Sequence, residues 1–237
     1  MPASTIDRTP PDKVARIAGG SYLAFIVASV LASTLGHIGL SWAEQVYQTI
    51  STHVWLFRLG LVIALVSAFL FLLAAWGLYV LLRHVNQQLA LLFLLLNTVG
   101  VAIQCASMFP LLSALLQGDA TSHMQAYSAA QLQGLAYLSI GVYKTGLATA
   151  QLFFGTWLFP LGYLVYKSGF LPRFLGVLLL LDGVGVLIWF LQALLLPAHP
   201  VISYPAFALG LIAEVGLALW LLIKGVKVVD RGVGLPA

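Results

Sequence analysis

Asp182 and Glu214 are the residues whose types and positions could do chemistry in this chain. Each carboxylate sits inside a run of apolar residues, Phe174 to Leu196 and Pro205 to Ile223, long enough to cross a bilayer. A charged carboxylate at mid-bilayer costs ~2.5–3.5 kcal/mol even on the lenient insertion scale, so acids kept there mark proton, ion or substrate paths, or act as buried hydrogen-bonding glue. Measured from the end of its helix that meets Arg173 or Lys224, Asp182 lies ~12 Å and Glu214 ~15 Å deep. Equal depth on adjacent antiparallel helices is expected to bring the two within reach of one another. With no base at that depth, the pair is expected to hold at least one proton at neutral pH.

Three amides complete the candidate set. At helical spacing each of the later apolar runs shows one polar or small stripe. The stripes are Asn97, Gly100, Gln104 and Ser107; Lys144, Ala148, Gln151 and Gly155; Asp182, Gly185, Trp189 and Gln192; and Ala206, Gly210, Glu214 and Ala218. Asn97 lies ~14 Å from the basic end of its run, level with the acids, and Gln104 and Gln151 ~24 Å up. Asp182, Glu214, Asn97, Gln104 and Gln151 are therefore the ion- or ligand-binding candidates. Lys144, ~34 Å up, belongs to the outer interface, out of reach of the acids. The plainer reading is a protonated acid bonded to Asn97 or to the carbonyl that Pro160 frees near Thr156.

Other chemistry finds less support. Four of the five histidines, His37, His53, His123 and His199, fall at the outer side and none lies deep in a run, which disfavours transmembrane haem. An outer-face metal cluster of histidines with Glu44 is weighed against ordinary interfacial histidines, which fit better, and no metal ligand is assigned. The single cysteine, Cys105, allows no intrachain disulfide and no cysteine-built metal site. No G-x-S-x-G, P-loop or H-E-x-x-H motif is present, so no catalytic residue or cofactor can be named.

The elements that must position these residues follow from composition. Of 237 residues, 61% are hydrophobic and 8% charged, too little polar surface for a water-soluble globule of this size. The expected fold is all-α, a polytopic membrane helix bundle with transmembrane helices at about 17–38, 57–82, 89–116, 142–166, 174–196 and 205–223. Outer connections 39–56 and 117–141 are expected to carry short interfacial helices. Residues 1–16 form a polar tail, 17–226 the membrane domain and 227–237 a second tail; the first run is too long for a cleaved signal core.

Arg8, Lys13, Arg16, Arg83, Lys167, Arg173, Lys224, Lys227 and Arg231 fall on one side and only Arg58 and Lys144 on the other, which predicts both termini in the cytoplasm. Dispersed one to three per connection, these bases are topology signals and not a nucleic-acid surface. Tyr79, Tyr163, Tyr166 and Trp220 fit one interfacial belt, and Trp42, Tyr47, Trp55 and Tyr204 the other. The segments from Tyr79 and from Tyr163 are faintly alike, as any two hairpins of one orientation would be.

The stretch GYLVYKSGFLPRFLGVLLLLDGVG (162–185), with EVGLALWLLIKGV (214–226) and ARIAGGSYL near the start, resembles the bacterial and archaeal membrane family catalogued as domain-of-unknown-function family 4386. The similarity spans nearly the whole chain, and its most specific piece is the turn YKSGFLPR. The resemblance implies a six-helix fold in a bacterial or archaeal cytoplasmic membrane, and brings no assigned activity and no catalytic residues.

Three functions remain in view. One is a polar cavity between the third and sixth spans, reached from the cytoplasmic side, that takes a proton, cation or small amphiphile. Another is a structural or accessory subunit docking to a second membrane protein or to its own copy. The third is a membrane enzyme using outer-face His and Glu residues. Lipids are partners in all three.

Overall fold

A backbone in lipid must satisfy its own polar groups, and uncharged runs of this length do so as helices. The computed structural model describes residues 11–39, 41–118 and 127–226. Arg8, Asp119, His123, Lys227 and Arg231 lie outside them, and with them most of both tails. Eight α-helices follow in order: α1 Pro11–Gly36, α2 Ala43–Thr52, α3 Val54–Leu82, α4 Gln87–Ser107, α5 Phe109–Gly118, α6 Ala129–Lys167, α7 Arg173–Leu195 and α8 Tyr204–Ile223, with a 3-10 turn at Pro200–Ser203 before α8. Six apolar segments are long enough to cross a membrane: α1, α3, α4 with α5, α6, α7 and α8.

Each spanning helix packs beside the next, and α8 returns to α1, so the six close a ring in the order α1, α3, α4, α6, α7, α8. Small residues let the backbones meet. A Cβ on Gly19 would lie 2.6 Å from the Ala218 carbonyl oxygen, which joins α1 to α8, and one on Gly77 would lie 2.7 Å from the Ala18 side chain, which joins α3 to α1. Gly162 and Gly176 face each other between α6 and α7, each placing a Cβ within 2.8 Å of the other's carbonyl oxygen. These contacts lie toward one end of the ring, here the basic end, where the α3–α4 and α6–α7 turns sit and where Gly225 packs beside Asp12. The interior there is solid, filled by Ala15, Leu78, Leu82, Leu161, Leu217 and Leu221.

Local signals explain the helix limits. Asn86 caps α4 by accepting from Leu89 N–H at 3.0 Å. In the α6–α7 turn, Gly169 takes φ +74°, the Ser168 hydroxyl accepts from Leu171 N–H, and the Arg173 guanidinium lies over the Tyr166 ring.

Two expectations need correction. The third span is not one helix over 89–116: it breaks at Met108, because Pro110 has no N–H to continue the ladder and instead occupies the first turn of α5. The described part of the connection 117–141 holds no separate interfacial helix. Ser128 and Gln131 form a capping box there, which starts α6 thirteen residues before the expected 142 and makes it 39 residues long. α6 then runs unbroken through the buried Pro160. The other connection expected to carry one, 39–56, does contain a short helix, α2, packed on α3, α5 and α6.

Six spans require the α5–α6 connection and the C-terminal tail to lie on opposite sides of the membrane. Reporter fusions after Gly118 and after Lys227 are expected to report different compartments; a common compartment would make the span count wrong by an odd number.

Candidate functional site

Inside the ring, beyond the solid basic end, lies a cavity of about 450 Å³ to which all six spanning segments contribute. Asp182 from α7 and Glu214 from α8 both line it. The contact between these helices is close, because a Cβ on Gly210 would lie 2.6 Å from Asp182 Oδ1. Glycine one turn before Glu214 thus makes room for the opposite carboxylate, and the two acids are near enough to interact electrostatically. Asp182 is 1% exposed and its Oδ2 has no hydrogen-bond partner. Glu214 keeps part of its surface open to the cavity.

Gln104 from α4 and Gln151 from α6 line the same space, with Gln151 Nε2 donating to the Leu147 carbonyl at 3.3 Å. Asn97 does not. It is 0% exposed, both its side-chain polar atoms lack a partner, and its helix α4 does not neighbour α7 or α8 in the ring. Trp157 fills the centre of the ring, contacting Tyr22 of α1, Phe71 of α3 and Phe93 of α4. An amide buried without partners costs roughly 1–3 kcal/mol per unmet group. Asn97→Leu is therefore expected to raise the melting temperature in detergent by several degrees, at roughly 2–4 °C per kcal/mol for a chain of this size. A lower melting temperature would show that Asn97 is hydrogen-bonded in the folded protein.

The sequence reading missed the share of α1 and α3. Phe25, Ile26, Ser29 and Val30 of α1 and Phe71 of α3 line the cavity, and the fully buried Tyr22 turns its hydroxyl toward Glu214 without closing a hydrogen bond. The phenyl rings of Phe25 and Phe71 stack at 4.1 Å, and Phe71 meets Trp157 edge-on at 5.2 Å. The signal was present, since Tyr22, Phe25, Ile26 and Ser29 recur at i, i+3, i+4 and i+7.

Access also differs from expectation. Among the described residues the basic end is filled by buried side chains, Ala15, Leu78, Leu82, Leu161, Leu217 and Leu221, and none of them lines the cavity. It extends from the acids toward the opposite end, up to Trp189 and Phe207, whose rings meet edge-on at 4.9 Å. These two residues and Leu147 also line a second cavity of about 540 Å³, which holds Lys144, Gln192 and Ser203. Lys144 binds neither acid: its ammonium donates to the backbone carbonyls of Gly39 and Ser41.

At the end opposite the basic one, Glu44 accepts from Tyr137 and from Gln48, His37 pairs with Thr49 and His53 with Thr52. Among the described residues, no three His, Cys, Asp or Glu side chains converge in a way that could hold a metal.

A closed ring of six apolar helices around a small polar-floored cavity defines a polytopic helical membrane protein. The chain belongs to the domain-of-unknown-function family DUF4386, whose profile matches residues 17–225. It is 30% identical over 158 residues to an uncharacterized protein of Archaeoglobus fulgidus, an alignment that covers 65% of this chain and 75% of that protein. No solved structure matches it.

Proposed function

We propose that this protein binds a proton or a positively charged small molecule within the membrane, at Asp182 and Glu214, in a bacterial or archaeal cytoplasmic membrane with both termini in the cytoplasm. The observation that carries this reading is the meeting of two carboxyl groups at one cavity whose lining contains no Lys, Arg or His. Buried acids used only as glue are expected to be hydrogen-bonded and sealed. Here Asp182 Oδ2 is unpartnered and Glu214 is open to a space large enough for a ligand. The orientation rests on the excess of Lys and Arg at the end that carries both termini. Gln104 and Gln151 contribute amide dipoles to the upper wall.

A carbodiimide tests the acids directly, because it adds to a protonated carboxyl in apolar surroundings and leaves a stable N-acylurea. Mass spectrometry of the labelled protein is expected to find the adduct on Asp182 or Glu214 near neutral pH, less of it at about pH 9, and none at an amide replacement of the labelled residue. Unmodified acids across that range would overturn the reading.

A further inference from the structure

The geometry points to a ligand class: a hydrophobic organic cation, an ammonium or phosphonium centre clothed in apolar groups, that enters the acid cavity sideways from the lipid between α1 and α8. This rests on the reading of Asp182 and Glu214 as binding groups and adds what they bind and by which route.

Size comes first. A cavity of about 450 Å³ is in the range of sites for small organic ligands. It corresponds to the liquid volume of roughly fifteen waters at ~30 Å³ each, far more than one bare ion fills. Donors agree with size. A hard metal cation seeks several converging oxygens, whereas here two carboxyl groups, with Ser29, Gln104 and Gln151, are spread over a cavity whose lining is otherwise apolar, and no three His, Cys, Asp or Glu side chains converge among the described residues.

Those walls are aromatic. Phe25, Phe71, Phe154, Trp157, Trp189 and Phe207 line the cavity, and ring faces attract a cation that keeps little water of its own. An organic cation gains both from the rings and from the carboxylates. A neutral molecule of the same shape gains only the apolar contact, and an anion would meet the acids.

The route follows from exposure. Val30 of α1 and Leu211 of α8 both line the cavity and are 54% and 58% exposed, the most exposed of the lining residues on these two helices. A lining residue that stays half accessible stands at an opening. α1 and α8 touch backbone to backbone at Gly19 and Ala218, and Val30 and Leu211 stand two to three turns further along, at the level of the cavity. The mouth therefore faces the hydrocarbon, where an amphiphilic cation already concentrates.

The test is equilibrium binding of radiolabelled tetraphenylphosphonium to the full-length protein in lipid nanodiscs. Competitors are benzyltrimethylammonium, its neutral isostere neopentylbenzene, and sodium. The expected result is saturable binding that benzyltrimethylammonium displaces and neopentylbenzene does not, that weakens at least tenfold in Glu214→Gln, and that weakens as pH falls because protons compete for the carboxylates. Tyr22 of α1, Asp182 of α7 and Glu214 itself are the titratable groups around that site. If Glu214→Gln does not fold, Val30→Trp with Leu211→Trp, at the lipid-facing mouth, is expected to slow association at least tenfold at unchanged melting temperature.

Three outcomes overturn the proposal. Acid-dependent binding of sodium without any organic cation would overturn the ligand class and leave the acids as binding groups. Equal displacement by the neutral isostere, unchanged in Glu214→Gln, would overturn both. Unchanged association in the mouth variants would overturn the lateral route.

Discussion

Gly176→Leu is expected to leave no monodisperse protein in detergent, and even Gly176→Ala to lower the melting temperature. A Cβ at this position would lie 2.7 Å from the Gly162 carbonyl oxygen, 2.7 Å from Tyr166 N and 2.8 Å from Tyr166 Cβ. Two of those neighbours are helix backbone, which cannot swing aside as a side-chain tip can. Overpacking by one methyl costs ~1–3 kcal/mol, and at roughly 2–4 °C per kcal/mol the alanine variant should melt about 2–12 °C lower. Leucine adds three further carbons at the same point of contact. Gly134 supplies the control, because nothing lies within 4 Å of its Cβ position and it sits on the overhanging part of α6. There Gly134→Ala should only improve helix propensity, by ~0.8–1 kcal/mol. A melting scan of the three variants decides the matter. Equal stability of wild type and Gly176→Ala would mean that α6 and α7 are not in backbone contact.

The second large effect is expected at the end opposite the basic one, from Tyr143→Phe combined with Lys144→Met. The chain between α1 and α2 turns sharply, with His37 at φ 53° and Gly39 at φ 110°. Residues 143 and 144 hold this strap against α6. Gly39 N–H donates to the Tyr143 hydroxyl at 2.7 Å, and the Lys144 ammonium donates to the carbonyls of Gly39 and Ser41. Bonds made by a charged donor contribute ~1.5–3 kcal/mol each, and the neutral one ~1 kcal/mol. The double variant is expected to lose several kcal/mol, read as a lower melting temperature and as faster amide exchange at Gly39 and Ser41. Unchanged exchange at those two amides would show that the strap is held by something other than α6.

Much of this was legible in the chain. Runs of leucine without charge fix the number of spans, because lipid accepts no other spanning element here. The i, i+3, i+4 pattern fixes which face turns inward: Asp182, Gly185 and Trp189 all line the acid cavity, and Gln192, one turn further, lines the next one. A ruler along the helix also placed Asp182 and Glu214 together and set Lys144 apart.

That ruler measures height alone. It set Asn97 level with the acids but could not see Trp157, which occupies the centre of the ring, nor that α4 stands away from α7 and α8. It assigned polar stripes only where amides and acids occur, so it overlooked α1, whose contribution is aromatic. The break at Met108 and the early start of α6 were written locally, in Pro110 and in Ser128 with Gln131, but the hydropathy of the surroundings masked them. The direction of access depends on how tightly neighbouring helices close, which single-helix patterns do not encode.

The ring helices differ in length. α8 has 20 residues, α1 26 and α3 29, or ~30, ~39 and ~44 Å of helix against a hydrocarbon core of ~30 Å. Counted from Ile17, after the charged first turns, α1 offers 20 residues, ~30 Å, the same as α8, so these two neighbours match such a core and α3 exceeds it. The excess of α3 is met by tilt, by local thickening of the bilayer, or by its Arg58 end standing among the headgroups.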